Sequence, residues 1–249
     1  MSPRAEELLY VTMWASGIFA LPTYRQFEES FDDWLRREGL ERRFVELRKK
    51  GMLEKPAADA SAVRRIHRLT ENGRIAVQGG RDPEACWKRP WDGRWRVVLF
   101  DVPASKTALR YQLWRFLRLH HFGYLQNSVW ITPDPVDAMR ERIGTEKARV
   151  GALTLLEARP CGGETDADIV AEAWDFPAIN RLYRQHLLVL GQMPKIKSGL
   201  TAWRQWVGRE RKAWQQALKA DPLLPDALLP AGYLGKQAWG KRRRLLGTA

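Results

Sequence analysis

Seven cations in the first third of the chain have the types and spacing for phosphate chemistry. Arg42, Arg43, Arg48 and Lys49 are close together, and Arg64, Arg65 and Arg68 follow after a loop. Guanidinium and ammonium groups pair with phosphate oxygens, arginine in a two-pronged geometry. Such runs more often form a merely solvated face, so the elements that carry them have to decide. Glu41 and Glu46 stand among the first four. A carboxylate there can accept from a cytosine amino group but repels phosphate, which argues against sharp base readout.

Other candidates carry less. Asp101 ends an apolar strand-like run, where a carboxylate can hold Mg²⁺ or simply cap the next turn. No second ligand is near it in sequence, since Asp134 and Asp137 are distant. His120 and His121 are adjacent, so on a helix they point about 100° apart and cannot easily share a metal. Closing a helix end is the plainer role for them. Sequences G-x-S-x-G, H-E-x-x-H, G-x-G-x-x-G and the phosphate-binding loop are absent, and the chemistry reads as binding, with no cofactor and no enzymatic step.

Composition agrees. Forty-two Lys+Arg against 29 Asp+Glu give +13 over 249 residues, a field that favours polyanions. Cys86 and Cys161 are the only cysteines, too few for a disulfide framework or a four-cysteine zinc site. Apolar runs are too short to span a bilayer, and the amino end lacks a secretory pattern, so a cytoplasmic protein with no membrane partner is expected.

The elements that must position these residues follow from periodicity. Residues 4–15 read as a helix, and Phe27, Phe31, Trp34 and Leu35 mark a second at 3.6-residue spacing. Gly39 permits a tight turn into a third, residues 40–51, with Leu40, Phe44 and Leu47 inward and the cations mostly outward. Strands around 52–55 and 63–69 form a hairpin, and Thr70 caps a short helical turn in the string Leu69-Thr70-Glu71-Asn72-Gly73. This is the outline of a winged helix-turn-helix, in which one helix enters the major groove and the hairpin reaches the backbone beside it. Residues 79–93, rich in Gly and Pro, read as a junction. Then come strand 95–100, helix 104–119, strands 123–126 and 128–132, helix 135–143 and strand 152–158. The order β-α-β-β-α-β is that of a ferredoxin-like unit. Beyond it two helical stripes appear, one through Ile179, Tyr183, His186 and Leu190, the other through Trp203, Trp206, Val207, Trp214 and Leu218. An apolar proline-rich segment, 221–230, and a basic tail at 241–244 close the chain.

With these strings in place, the chain resembles PaaX-type transcriptional repressors. The strings are W-D-G-R-W-R-V-V-L-F-D-V-P (91–103), G-Y-L (123–125) and S-V-W-I-T-P (128–133). A-W-D-F (173–176) and D-P-L-L-P-D-A-L-L-P (221–230) are similar to that family's C-terminal part. The resemblance implies an α+β chain in three parts: a winged helix-turn-helix over 1–78, a ferredoxin-like dimerisation domain over 94–165 after a linker at 79–93, and a C-terminal helical domain over 166–249. It also implies a homodimer that binds double-stranded DNA and represses an aromatic-acid catabolic operon. An aryl-CoA effector such as phenylacetyl-CoA would release it. The DNA-binding residues would be Arg42, Arg43, Arg48, Lys49, Arg64, Arg65 and Arg68. Trp203, Trp206 and Trp214 with Arg204, Arg209 and Arg211 have the types an aryl-CoA needs, yet the same stripe reads equally as helix core. Two alternatives stay open: a Mg²⁺-dependent nuclease around Asp101, and a non-catalytic assembly subunit related to the small subunit of CRISPR spacer acquisition.

Overall fold

Alternation of side chains along Trp95–Phe100 makes one strand serve two faces, and the rest of a four-stranded sheet is built on it. In the computed structural model, residues 36, 39–54, 68–77, 79–136, 153–194 and 199–246 are described. The expected helix over 4–15 lies outside these residues, as do Phe27, Phe31, Trp34 and Leu35 of the second and all of the expected helix 135–143 beyond Val136. The chain divides into two units, one of 1–82, 184–215 and 235–249, the other of 83–183 and 216–234. The expected C-terminal domain, 166–249, is thus shared between them.

In the first unit, α1 (Glu41–Lys49) is followed by β1 (Leu53–Glu54), β2 (Arg68–Leu69) and α2 (Glu71–Val77). β1 and β2 pair antiparallel, Leu53 opposite Leu69 and Glu54 opposite Arg68. The remainder comes from α6 (Phe176–Gly191), α7 (Gly199–Ala220) and α8 (Gly235–Leu246), the first two of which also extend into the second unit. Phe44, Leu47, Leu53, Leu69, Leu190, Trp206 and Val207 form the core. The basic run 241–244 lies inside α8, where Arg242 is buried.

In the second unit, α3 (Pro83–Lys88) occupies part of the expected junction. Pro83 suits a first helical turn, where no backbone donor is required, and both it and Trp87 are buried. Then follow β3 (Trp95–Phe100), α4 (Thr107–Leu119), β4 (Gly123–Gln126), β5 (Val129–Thr132), β6 (Leu153–Ala158) and α5 (Asp166–Ala173). The sheet order is β4-β5-β3-β6, antiparallel throughout. That is the order a ferredoxin-like unit requires of its four strands. Asn127, at φ 41°, makes the turn between β4 and β5. Val98 stands opposite Trp130 on one side and Leu155 on the other. These side chains and Phe100 meet Leu113 and Leu117 of α4 in the main core. On the other sheet face the Trp95 indole donates to Asp166 (2.8 Å), and Gly123 lies where a Cβ would come within 2.7 Å of Ala173 and the Trp174 ring.

The segment Asp221–Pro225 is buried throughout. Asp221 accepts from the Tyr183 hydroxyl at 2.5 Å, from the Tyr233 hydroxyl and from the Leu223 amide at 2.8 Å. Tyr233 in turn accepts from the Trp87 indole at 3.2 Å. Arg89 forks onto Asp134 (2.5 and 3.0 Å) and also donates to the Leu223 carbonyl. The first half of the proline-rich string is therefore interior structure of this unit.

Candidate nucleic-acid interface

Phe44 and Leu47, three residues apart, bury one side of α1, and that fixes which side faces solvent. Arg42, Val45, Glu46, Arg48 and Lys49 are exposed, while Arg43 is half-buried. Arg48 and Lys49 occupy the last turn, where cations complement the helix dipole. Gly51, at φ 67°, ends the helix: its amide reaches Arg48 and the Met52 amide reaches Leu47, both at 3.0 Å. The two bonds form a Schellman cap, for which glycine is the favoured residue.

Thr70 ties the short sheet to this cap. Its hydroxyl donates to the Gly51 carbonyl (2.6 Å) and accepts from the Gly73 amide (3.1 Å), so the expected N-cap is present. Its own amide reaches the Met52 carbonyl at 3.1 Å. A Cβ on Gly73 would sit 2.1 Å from that same carbonyl oxygen. Backbone cannot yield as a side-chain tip can, so Gly73→Ala must displace α2 from β1. We expect it to lower stability by about 2–4 kcal/mol, visible as an earlier urea midpoint, with Gly39→Ala, where the added methyl meets none of the described residues within 4 Å and only the φ of 63° is strained, as a milder control. An equal response of the two variants would refute the packing argument.

The charges on α1 are mixed. Arg42, 93% exposed, lies 3.7 Å from Glu46, and Arg36 lies 3.5 Å from Glu41. Exposed pairs at this spacing contribute only about 0.3–0.5 kcal/mol, so Arg42 can exchange its carboxylate for a phosphate. Arg42, Arg48 and Lys49 are thus presented to solvent on one helix. Arg64 and Arg65 lie outside the described residues, and Arg68 is placed only by its backbone in β2. The helix and the base of the hairpin are in the described structure; the hairpin tip and the first two helices are not part of it.

The other sequence candidates resolve differently. Asp101 is exposed at the end of β3, and Asp134 is engaged by Arg89. Asp137 lies outside the described residues, among which no group of three or more His, Cys, Asp or Glu gathers. His120 and His121 close α4: the His121 amide bonds Arg118 (3.0 Å), and its φ of 59° turns the chain out of the helix. Trp206 and Trp214 are fully buried, which makes them core and not an aromatic slot. The Trp206 indole donates to the Val189 carbonyl at 2.8 Å. Arg209 is exposed and Arg211 half-buried; the side chains of Trp203 and Arg204 are not described. Both cysteines are free.

One buried group was not foreseen. Glu210 Oε1 accepts from Arg242 Nε (2.9 Å) and lies 2.8 Å from His186 Nε2, and all three side chains are 1% exposed or less. Arg242 also lies over the Trp214 ring, 5.0 Å from its centroid, and Trp214 stacks on Trp239. Burial, with the charges of Arg242 and Lys241, pushes His186 down to about 3, so its imidazole is neutral. Burial likewise raises Glu210, against the pull of Arg242. The signal in the sequence is positional, because Glu210 falls on the stripe of Trp206, Val207 and Trp214.

Among the described residues, no helix is long and apolar enough to cross a membrane. Residues 88–170 match the family described as PaaX protein central Cas2-like domain. The resemblance to PaaX-type proteins drawn from 91–103, 123–125 and 128–133 therefore holds for the central part of the chain. No curated protein matches. Among solved structures, the uncharacterized protein Rv0674 from Mycobacterium tuberculosis is similar at 22% identity and a TM-score of 0.49, over 85% of this chain and 80% of that one.

Proposed function

We propose that this chain, similar in its central part to PaaX proteins, is a dimeric DNA-binding transcriptional regulator. In this reading it represses an aromatic-acid catabolic operon and is released by an aryl-CoA thioester such as phenylacetyl-CoA. The observation that carries the reading is the match over 88–170, whose strand order is the one its resemblance implies. α1 supports a DNA contact through Arg42, Arg48 and Lys49, with Arg43, Arg64, Arg65 and Arg68 as further phosphate partners. A dimer is supported by the second sheet face: Val97, Leu99 and Val129 are half-buried and Leu156 is 46% exposed, an apolar surface that a second copy can cover. The reading assigns no catalytic residue, and it leaves Trp206 and Trp214 to the core.

Titration of a labelled duplex while salt is varied tests it. With about six phosphates neutralised, affinity falls roughly 10³-fold between about 50 and 200 mM salt. Replacing Arg42 and Arg43 together by Ala reduces the log–log slope by up to about 1.8. Phenylacetyl-CoA shifts the melting temperature and dissociates the complex. A protein indifferent to duplex at low salt, or a double variant with an unchanged slope, defeats the assignment.

A further inference from the structure

Helix α7 turns a second basic surface outward in the same unit as α1. Trp206, Val207, Glu210 and Trp214 form its buried side. Gln205, Gly208, Arg209 and Lys212, spaced i, i+3, i+4 and i+7, are exposed and line an open groove of about 620 Å³. Among these described residues its charge is of one sign. The sequences of α7 and α8 contain a single carboxylate, Glu210, and that one is buried against Arg242. α1, by contrast, sets Glu41 and Glu46 among its arginines.

Gly208 is the independent observation. Glycine in the interior of a 22-residue helix weakens it relative to alanine. Among the described residues a Cβ there would meet nothing within 4 Å, so their packing gives no reason for it. Bare backbone in the groove lining, flanked by an amide and two cations, suits a ligand whose own backbone must come close. The groove is open and carries two cations, Arg209 and Lys212, in its described lining, unlike the enclosed pocket a small molecule needs. A long polyanion fits it better.

We propose that Gln205, Gly208, Arg209 and Lys212 contact the sugar–phosphate backbone of duplex DNA, as an addition to the α1 surface. This rests on the DNA-binding reading above. The test is anisotropy of a random-sequence duplex against salt, for the full chain and for R209A/K212A and G208A. The expected results are a slope reduced by about 1.8 in R209A/K212A, and in G208A a melting temperature about 2–4 °C higher together with weaker binding. More stable yet weaker in binding is a combination that a purely structural glycine would not give. If the full chain binds but R209A/K212A keeps its slope, or G208A keeps its affinity, the α7 contact is wrong and the DNA-binding reading survives. If the full chain ignores duplex at low salt, both fall together.

Discussion

Glu210→Ala will lower the melting temperature by roughly 6–20 °C, the equivalent of about 3–5 kcal/mol in a unit of this size. The magnitude comes from what is left behind. Arg242, 1% exposed, loses the carboxylate 2.9 Å from its Nε, and its charge stays permanently on in a buried site. The face of Trp214 beneath it returns only about 0.5–2 kcal/mol. His186 loses its partner at 2.8 Å as well, and being neutral it cannot supply a compensating charge. A second variant separates the pair's net worth from the cost of breaking it. E210L/R242M removes both charges at similar volume, and buried pairs replaced in this way are often neutral or stabilising. We expect it to recover most of the loss on chemical denaturation. If the double variant is as unstable as Glu210→Ala, the ion pair itself stabilises the fold and the desolvation argument is wrong.

The features that sequence reading recovers are those written in neighbouring residues. The turns at Gly39 and Gly51 have positive φ, as their glycines suggest. The string Leu69–Gly73 contains both the capping residue and the residue that must lack a side chain. The β-rich runs at 95–100 and 128–132 yield the central strands, because the strand preference of Val, Ile, Phe and Trp is a local property. The buried charges are another matter. Glu210 and Arg242 are 32 positions apart, and Tyr183 and Asp221 38 apart. Nothing local distinguishes the Arg242 side chain from its neighbours in Arg242-Arg243-Arg244, where only helical phase sends one inward. Residues 79–93 mislead for a related reason: Pro and Gly signal a junction, yet Pro83 also starts a helix well, and Trp87 anchors it by burial. The same ambiguity attends α1. A basic helix face and a solvated one look alike in sequence, and the Arg42–Glu46 pair shows that both descriptions fit one surface.

Asp221→Ala will cost at least about 3 kcal/mol in the second unit, because three donors converge on one fully buried carboxylate. Tyr183, Tyr233 and the Leu223 amide each lose an acceptor, while Tyr233 keeps its contact with Trp87. Leu223 is held at φ 52°, a conformation leucine rarely adopts, and the bond to Asp221 helps hold it there. Asp221→Asn keeps an acceptor for that amide and should fall between wild type and Ala. The tyrosines give the site a second readout, in alkali. Burial, then the negative charge of Asp221, lifts both phenols above their ordinary value of 10.0. An ionising group raised in the fold contributes stability that is complete below its unfolded pKa and is lost as pH climbs through that value toward the folded one. Stability should therefore decline as pH rises past about 10. In Y183F/Y233F, which lacks both ionisations, that alkaline decline should flatten although the protein is weaker at neutral pH. An alkaline profile of Y183F/Y233F that is parallel to wild type would mean that the pair does not titrate against Asp221, and the lock on the proline-rich segment would have to be sought in Arg89 instead.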